Sequence, residues 1–223
     1  MISTPTKCSV ALAIGLLFAP VARTRAQDAA AKGSAPASMT AISPIFGQLV
    51  RFSMPAGFVP VFEKTNGPFY IREAVPKGET TEHWTQMITV TGHNGLAGNP
   101  KFSPQAMAAS MAGGFKKVCP ETFAAKGFGE TRLGEQDGFV AVAACGKVDA
   151  SADGHSEAAL IVIAKGSADA YTIQWAERGA SQATAPAIDD AKWQQRLREL
   201  MPIRLCPIVA GEAAPYPSCL QQK

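Results

Sequence analysis

The spacing of apolar residues predicts a first helix in the middle of the chain. Ser103 is a good N-cap, and Pro104 suits the first helical position. Apolar residues then recur at helical spacing, at Met107, Met111, Phe115 and Val118. Pro120 ends the pattern, so a helix is expected between Ser103 and Cys119.

A second helix is predicted near the C-terminus. Asp189 is placed to cap it, and Ile188 and Trp193 stand where a hydrophobic staple would form. The expected buried stripe consists of Trp193, Leu197, Leu200 and Met201. Pro202 stops this helix.

Strand patterns precede the first helix. In "GPFYIREAVP", alternation places Phe69, Ile71 and Val75 on one face, with Tyr70 and Arg72 on the other. "WTQMITVTG" is rich in β-formers, and its alternation predicts that Trp84 shares a face with Ile88 and Val90.

Between the helices the chain is mostly strand. "GFVAVAACG" and "DAYTIQWAERG" alternate, whereas "EAALIVIAKG" is apolar throughout, as expected of a central strand covered on both sides. "KGSAD" predicts a hairpin turn, and "GFGETRLGEQDG" an exposed turn. This order predicts an α+β fold, with a mostly antiparallel sheet flanked by helices in an α/β/α sandwich.

The ends of the chain differ from this domain. "CSVALAIGLLFAPVA" has the length of a signal-peptide core, with cleavage expected after Ala22 or Ala26, and an uncleaved anchor is the alternative. We therefore predict a signal peptide over 1–26, a disordered linker over 27–45, one domain over 46–205 and a disulfide-closed tail over 206–223. After processing, no membrane anchor is expected.

Charge changes once the leader is removed. The chain has 21 Lys and Arg against 18 Asp and Glu, but Lys7, Arg23 and Arg25 all precede Ala26. No acidic residue precedes Asp28, so a chain cleaved there would have equal numbers of acidic and basic residues. A nucleic-acid partner, which needs a surplus of basic residues, is not expected.

Cysteine usage indicates an oxidising compartment. Beyond Cys8 there are four cysteines, which permit three disulfide connectivities. We favour Cys119–Cys145 and Cys206–Cys219, since the second closes a Pro-rich tail with little other means of ordering. A metal site is disfavoured because no Cys-x-x-Cys pair is present. The predicted location is the periplasm or the exterior.

Candidate chemistry is sparse. "HWTQMITVTGHNG" contains His83 and His93, but ten residues of extended chain would hold them roughly 33 Å apart, too far for one metal ion. No metal or cofactor site is therefore predicted. If the domain binds a ligand through its surface, the candidate residues are Trp84, Tyr70 and Arg72, although Trp84 by default belongs to the core.

No catalytic signature is present: there is no G-x-S-x-G, P-loop, G-x-G-x-x-G or H-E-x-x-H motif, and no catalytic residue is assigned. The sequence favours an exported, non-enzymatic accessory or binding protein whose partner is an envelope protein or a small ligand. The alternatives are a small exported hydrolase or lyase with an unrecognised site, and an inhibitor or immunity-like protein.

The organisation of elements resembles the PsbP-like/DcrB-like family of exported α/β/α sandwich proteins. The resemblance rests on "FSMPAGF", "YIREAVPKGETTEHWTQMITVTG", the helix after "KFSPQAMA", "AYTIQWAERG" and "WQQRLRELMPIRL", over about residues 46–205. It implies an antiparallel sheet between helices and a binding or accessory role. The four cysteines and the tail are not part of that pattern.

Overall fold

A computed structural model describes residues 38–148 and 154–221. The predicted signal peptide, with most of the predicted linker, lies outside these residues. Among the described residues, no helix is long and apolar enough to cross a bilayer.

Ten strands and three α-helices follow one another along the described chain. The strands are β1 (Met39–Ile45), β2 (Gln48–Met54), β3 (Phe58–Asn66), β4 (Phe69–Pro76), β5 (Gln86–His93), β6 (Phe123–Leu133), β7 (Gln136–Cys145), β8 (His155–Lys165), β9 (Ala170–Ala180) and β10 (Arg204–Pro207). The helices are α1 (Pro104–Val118), α2 (Asp190–Leu200) and α3 (Pro217–Leu220), with 3-10 turns at Leu96–Gly98 and Pro120–Thr122.

The strands form two antiparallel sheets. Seven strands lie in the order β3-β4-β5-β9-β8-β7-β6, and three in the order β1-β2-β10. The chain first builds β3, β4 and β5 as a meander, crosses over through α1, and returns from the far edge as a second meander, β6 to β9. Strand β9 pairs with β5 along the whole length of β5 and so joins the two meanders.

Both long helices begin where their caps were predicted. The Ser103 hydroxyl oxygen accepts a hydrogen bond from the Ala106 backbone N–H at 3.1 Å, with Pro104 in the first turn. The Asp189 carboxylate accepts from the backbone N–H groups of Ala191 and Lys192. These contacts satisfy amide donors that have no partner within the helix.

The seven-stranded sheet has a different cover on each face. On one side, here called the closed face, the three-stranded sheet and α2 pack over large apolar side chains: Tyr70, Leu160, Val162, Tyr171, Ile173, Trp175. On the other side, the α1 face, helix α1 packs over several alanines and two isoleucines: Ala141, Ala143, Ala159, Ile161, Ile163, Ala176. The predicted α+β fold with helices on both sides of an antiparallel sheet is confirmed, and the small sheet adds to one outer layer.

A buried carboxylate joins the two sheets. Asp169, in the β8–β9 turn, is 3% exposed. Its two oxygens accept the backbone N–H of Gly47 at 3.0 Å and that of Gly95 at 2.8 Å. The Tyr171 hydroxyl donates to the same carboxylate at 3.2 Å. Three turns that are distant in sequence therefore meet on one side chain.

Two predicted boundaries were wrong. Structure begins before Phe46, because β1 (Met39–Ile45) pairs with β2 along its full length. The tail is not separate from the domain, since β10 (Arg204–Pro207) pairs with the other edge of β2. In both cases order comes from pairing with β2, through a tight hairpin for β1 and through a long-range contact for β10, and local composition reveals neither.

Three local predictions also need correction. The segment "GFGETRL", expected to be part of an exposed turn, is the second half of β6, whose register shifts between Gly127 and Gly129. Trp84 packs on the α1 face, whereas Ile88 and Val90 lie on the closed face, because β5 begins only at Gln86 and the chain bends before it. Met201 is 37% exposed at the end of α2, so it does not extend the buried stripe.

Candidate functional site

The path of α1 leaves part of the sheet uncovered. The helix carries the chain from β5, in the middle of the sheet, to β6 at its edge, and it packs on β6, β7 and β8. The neighbouring surface of β4, β5 and β9 therefore forms the floor of a groove whose wall is the flank of α1. We call this cavity the α1 groove.

Small side chains let the helix approach the sheet closely. Ala108, on the underside of α1, is buried, and it faces a cluster that includes Ala141, Ala143 and Ala159. Close packing of backbone against backbone anchors α1 without filling the space along its flank. The groove is thus a product of the same alanine-rich contact that fixes the helix.

The α1 groove has a volume of about 670 Å³. This lies within the range of small-molecule sites. Its apolar lining comes from β4, the 3-10 turn, the segment that follows this turn, and α1: Phe69, Ile71, Leu96, Phe102, Met107, Met111. Methionine side chains are flexible and polarisable, so the wall that Met107 and Met111 provide adapts to ligands of different shape.

The floor of the groove is partly polar. Thr91 on β5 and Thr172 on β9 stand opposite one another, and their hydroxyl oxygens are 2.8 Å apart in a buried hydrogen bond. Thr91 lines the groove together with Thr89 and Gln174, the next facing pair along the same two strands, whereas Thr172 is buried and is not part of the lining. A ligand on this floor meets hydroxyl and amide groups among apolar walls, which would fix its orientation.

Among the described residues, two ionisable side chains line the groove, His93 and Lys101, and none of the lining residues is Asp or Glu. His93, the last residue of β5, packs against the Phe69 ring with centroids 5.1 Å apart. Burial lowers the pKa of His93, so its imidazole is neutral at neutral pH. Lys101 is exposed at the mouth and supplies the positive charge.

A second cavity adjoins the first along the helix. This distal cleft has a volume of about 430 Å³ and shares Met111 with the α1 groove. Its lining is Met111, Gly114, Phe115, Val118, Cys145, Val148, Glu157. Val118 is 42% exposed there, so an apolar side chain of the helical stripe faces open space and not the core.

Trp84, a predicted candidate for the ligand surface, lies outside the groove. It is 9% exposed, packs with the α1-face cluster and carries the Arg178 guanidinium at 3.7 Å from its ring centroid. Arg178 also donates to the Glu157 carboxylate at 3.3 Å. Arg178 covers one face of the Trp84 ring, and the rest of the ring lies in the core. Trp84 therefore offers no free ring face on which a ligand could stack.

Tyr70 and Arg72, the other two candidates, point away from Trp84 toward the three-stranded sheet. Tyr70 is 5% exposed and donates to the Glu63 carboxylate at 2.8 Å. Burial first, and then this hydrogen bond, raise the pKa of the Tyr70 hydroxyl above its usual value. Arg72 donates to the Ser43 hydroxyl at 2.9 Å and so ties β4 to β1. The structure does not bring the three residues together.

The histidines and cysteines considered from the sequence also have defined positions in the structure. His93 lines the α1 groove, whereas His83 lies in the bend before β5 beside a separate cavity that Trp84 lines. Disulfides join Cys119 to Cys145 and Cys206 to Cys219, which are the pairs favoured from sequence. The first links the end of α1 to β7, and the second holds α3 against β10.

Sequence reasoning missed the groove because its residues had ordinary interpretations. Met107 and Met111 fit a core-facing helical stripe, and Thr91 and Gln174 fit the polar side of alternating strands. One signal was available: α1 contains two adjacent glycines and two methionines, an unusual surface for a helix that only packs on a sheet.

No protein-family model and no curated protein matches the chain. Solved structures with a similar arrangement include the Ran-binding protein Mog1p of Saccharomyces cerevisiae, 10% identical, with a TM-score of 0.45 over 75% of this chain and 96% of that chain. Another is LpqN, involved in cell envelope biogenesis of Mycobacterium tuberculosis, 12% identical, with a TM-score of 0.42 over 77% of this chain and 91% of that chain. At these identities and TM-scores, neither similarity indicates what this chain binds.

Proposed function

We propose that the chain is an exported, non-enzymatic binding or accessory protein whose ligand lies in the α1 groove. The observation that carries the proposal is the groove itself: a cavity of about 670 Å³ with apolar walls and a partly polar floor. Open apolar surface of this kind is costly to leave exposed to water, and its usual explanation is a ligand or partner.

The disulfides support the exported location. Cys119–Cys145 and Cys206–Cys219 would persist in the periplasm or outside the cell and would be reduced in most cytosols. The predicted signal peptide, which lies outside the described residues, would deliver the chain there. The resemblance to the PsbP-like/DcrB-like family also favours a binding role in such a compartment.

The chemistry of the lining favours binding over the alternative of a hydrolase or lyase. Within the described residues that line the groove, His93 has no carboxylate beside it of the kind that orients a catalytic imidazole. The Ser103 hydroxyl, also in the lining, is engaged in capping α1. What the lining offers a ligand is apolar area and hydrogen-bonding groups.

A matched pair of variants on α1 tests the proposal. Ala106 and Ala109 are both exposed on the helix, but only Ala106 lines the groove. Nile red, a neutral apolar dye, is titrated into the native protein, and its fluorescence reports transfer from water to an apolar site. Ala106→Trp is expected to weaken dye binding at least tenfold by filling the groove, and Ala109→Trp is expected to leave it unchanged.

Two outcomes would overturn the proposal. The first is absence of saturable dye binding to the native protein. The second is equal binding by both variants, which would place the dye elsewhere. Circular dichroism and thermal melts of each variant establish that both remain folded.

A further inference from the structure

We infer that the ligand is a single-chain anionic amphiphile, a fatty carboxylate, with its head beside Lys101 and its alkyl chain running along α1 into the distal cleft. This inference rests on the proposed function, because it requires a ligand in the α1 groove. It adds a chemical class and an orientation.

The two cavities lie end to end along α1. They share Met111, and their helical residues run from Ser103 at the start of α1 to Val118 at its end. A helix of 15 residues is roughly 22 Å long, so the site is long and follows one helix. A linear molecule fits this shape better than a compact one.

The charge at one end of the site selects an anionic head. Lys101 makes no ion pair with any residue in the described ranges, and no carboxylate lines the α1 groove. Asn99, beside it, also lines the groove. One lysine with no arginine in the lining matches a monoanion, whereas phosphate groups are usually held by arginine forks or several cations.

The other end of the site selects an alkyl chain over a peptide. Among the described residues that line the distal cleft, one has a charged or hydrogen-bonding side chain, Glu157, and its carboxylate is already bonded to Arg178. A peptide laid along the cleft would bury backbone N–H and C=O groups with few partners, which is costly. An alkyl chain carries no such groups and loses only its contact with water.

The absence of a side chain at Gly114 leaves space for the alkyl chain of the ligand. Gly114 lines the distal cleft, and a Cβ built on it would meet no atom within 4 Å. The neighbouring Gly113 is equally unobstructed but does not line either cavity. A Cβ is therefore accommodated at both positions, and only at Gly114 would a leucine side chain extend into the proposed path of the alkyl chain.

Displacement of bound Nile red tests head and tail separately. Dodecanoate, octanoate and dodecyltrimethylammonium are used below their micelle-forming concentrations on the native protein. Dodecanoate is expected to displace the dye at least tenfold more effectively than the cation of equal chain length. Each added methylene between octanoate and dodecanoate is expected to raise affinity roughly fourfold.

Variants test which residues contact the head and which contact the alkyl chain of the ligand. Lys101→Gln is expected to weaken dodecanoate about tenfold, whereas Lys117→Gln, at an exposed lysine outside both cavities, is expected to have no effect. Gly114→Leu is expected to weaken dodecanoate while sparing octanoate, whose chain ends before the distal cleft. Gly113→Leu is expected to spare both.

The outcomes separate this inference from the proposed function. Dye binding that Ala106→Trp abolishes, combined with equal displacement by dodecanoate and the cation, would overturn the anionic head and leave the proposed function standing. Stronger displacement by an apolar peptide with a free carboxylate than by dodecanoate would identify a protein segment as the occupant and overturn the inference. Absence of saturable Nile red binding to the native protein would overturn both this inference and the proposed function.

Discussion

The two faces of the seven-stranded sheet are built from different side chains, although the same strands supply both. On β9, Ile173 and Trp175 point to the closed face, whereas Thr172 and Gln174 point to the α1 face. The closed face is filled by aromatic and branched residues under a second sheet and a helix. The α1 face combines alanines under the helix with threonines beside it.

This difference separates two tasks that one fold has to perform. Large buried side chains contribute most of the hydrophobic stabilisation, because that term follows the apolar area removed from water. Small and polar side chains contribute less, but they leave volume. The closed face therefore stabilises the domain, and the α1 face can retain an open groove.

The largest expected effect comes from neighbouring positions on β9. Trp175→Ala should lower the free energy of unfolding by about 3–5 kcal/mol, because it empties a site packed by Phe58 and Arg196. Gln174→Ala should change it by no more than about 0.5 kcal/mol. Urea unfolding curves measure both, and similar midpoints for the two variants would contradict the contrast between the faces.

Removing the tail disulfide tests whether structure on the closed-face side of the large sheet also influences the α1 groove. Cys206 and Cys219 pack on the outer surface of the small sheet with Leu49, and Arg51 donates to the Cys219 carbonyl oxygen at 2.8 Å. Replacing both cysteines by serine should cost about 3 kcal/mol through loop entropy in the unfolded chain. Nile red binding should be retained when the protein is folded, and its loss would show that the tail also shapes the groove.

The polar floor of the groove allows a smaller and sharper test. Thr91→Val leaves the buried Thr172 hydroxyl without its partner and should cost about 1 kcal/mol. The double replacement of Thr91 and Thr172 by valine should restore most of that loss, since two apolar groups of the same shape replace a bonded pair. Additive losses in a double-mutant cycle would contradict this account of the pair.

The smallest expected effect concerns pH. Because burial lowers the pKa of His93 in the folded protein, the unfolded chain binds more protons as pH falls below about 6.5, and stability falls with it. His93→Gln should flatten the decrease in melting temperature between pH 7 and pH 5.5. His83→Gln, in the bend before β5, is the control, and equal flattening in both would contradict the assignment to His93.

Much of the fold follows from local sequence patterns, and the exceptions have a common cause. The caps of α1 and α2 and the faces of β4, β7 and β9 depend on residues close in sequence, so alternation and capping rules identify them. Strand β1 and the tail strand β10 owe their order to β2, and β10 is about 150 residues away from it in the chain.

The candidate site was less accessible for a related reason. The groove exists because β9 returns to pair with β5 while α1 lies over β6 to β8. Hydrophobic periodicity does not reveal which strands pair with one another, and it does not reveal on which strands a helix packs. Trp84, Tyr70 and Arg72 stood out by residue type, but the cavity depends on Met107, Met111 and Thr91, which look ordinary in sequence.

The Asp169 carboxylate has a consequence for hydrogen exchange. It holds the amide protons of Gly47, in the turn of the small sheet, and Gly95, in the turn after β5. Neither amide proton can exchange with solvent deuterium until its hydrogen bond to the Asp169 carboxylate breaks, although both amides lie in turns, where exchange is usually fast. The exchange rate of the Gly47 amide should therefore rise whenever the small sheet separates from the large one, whereas that of Gly95, whose bond lies within the large sheet, should not, so comparing the two glycines reports on the contact between the sheets.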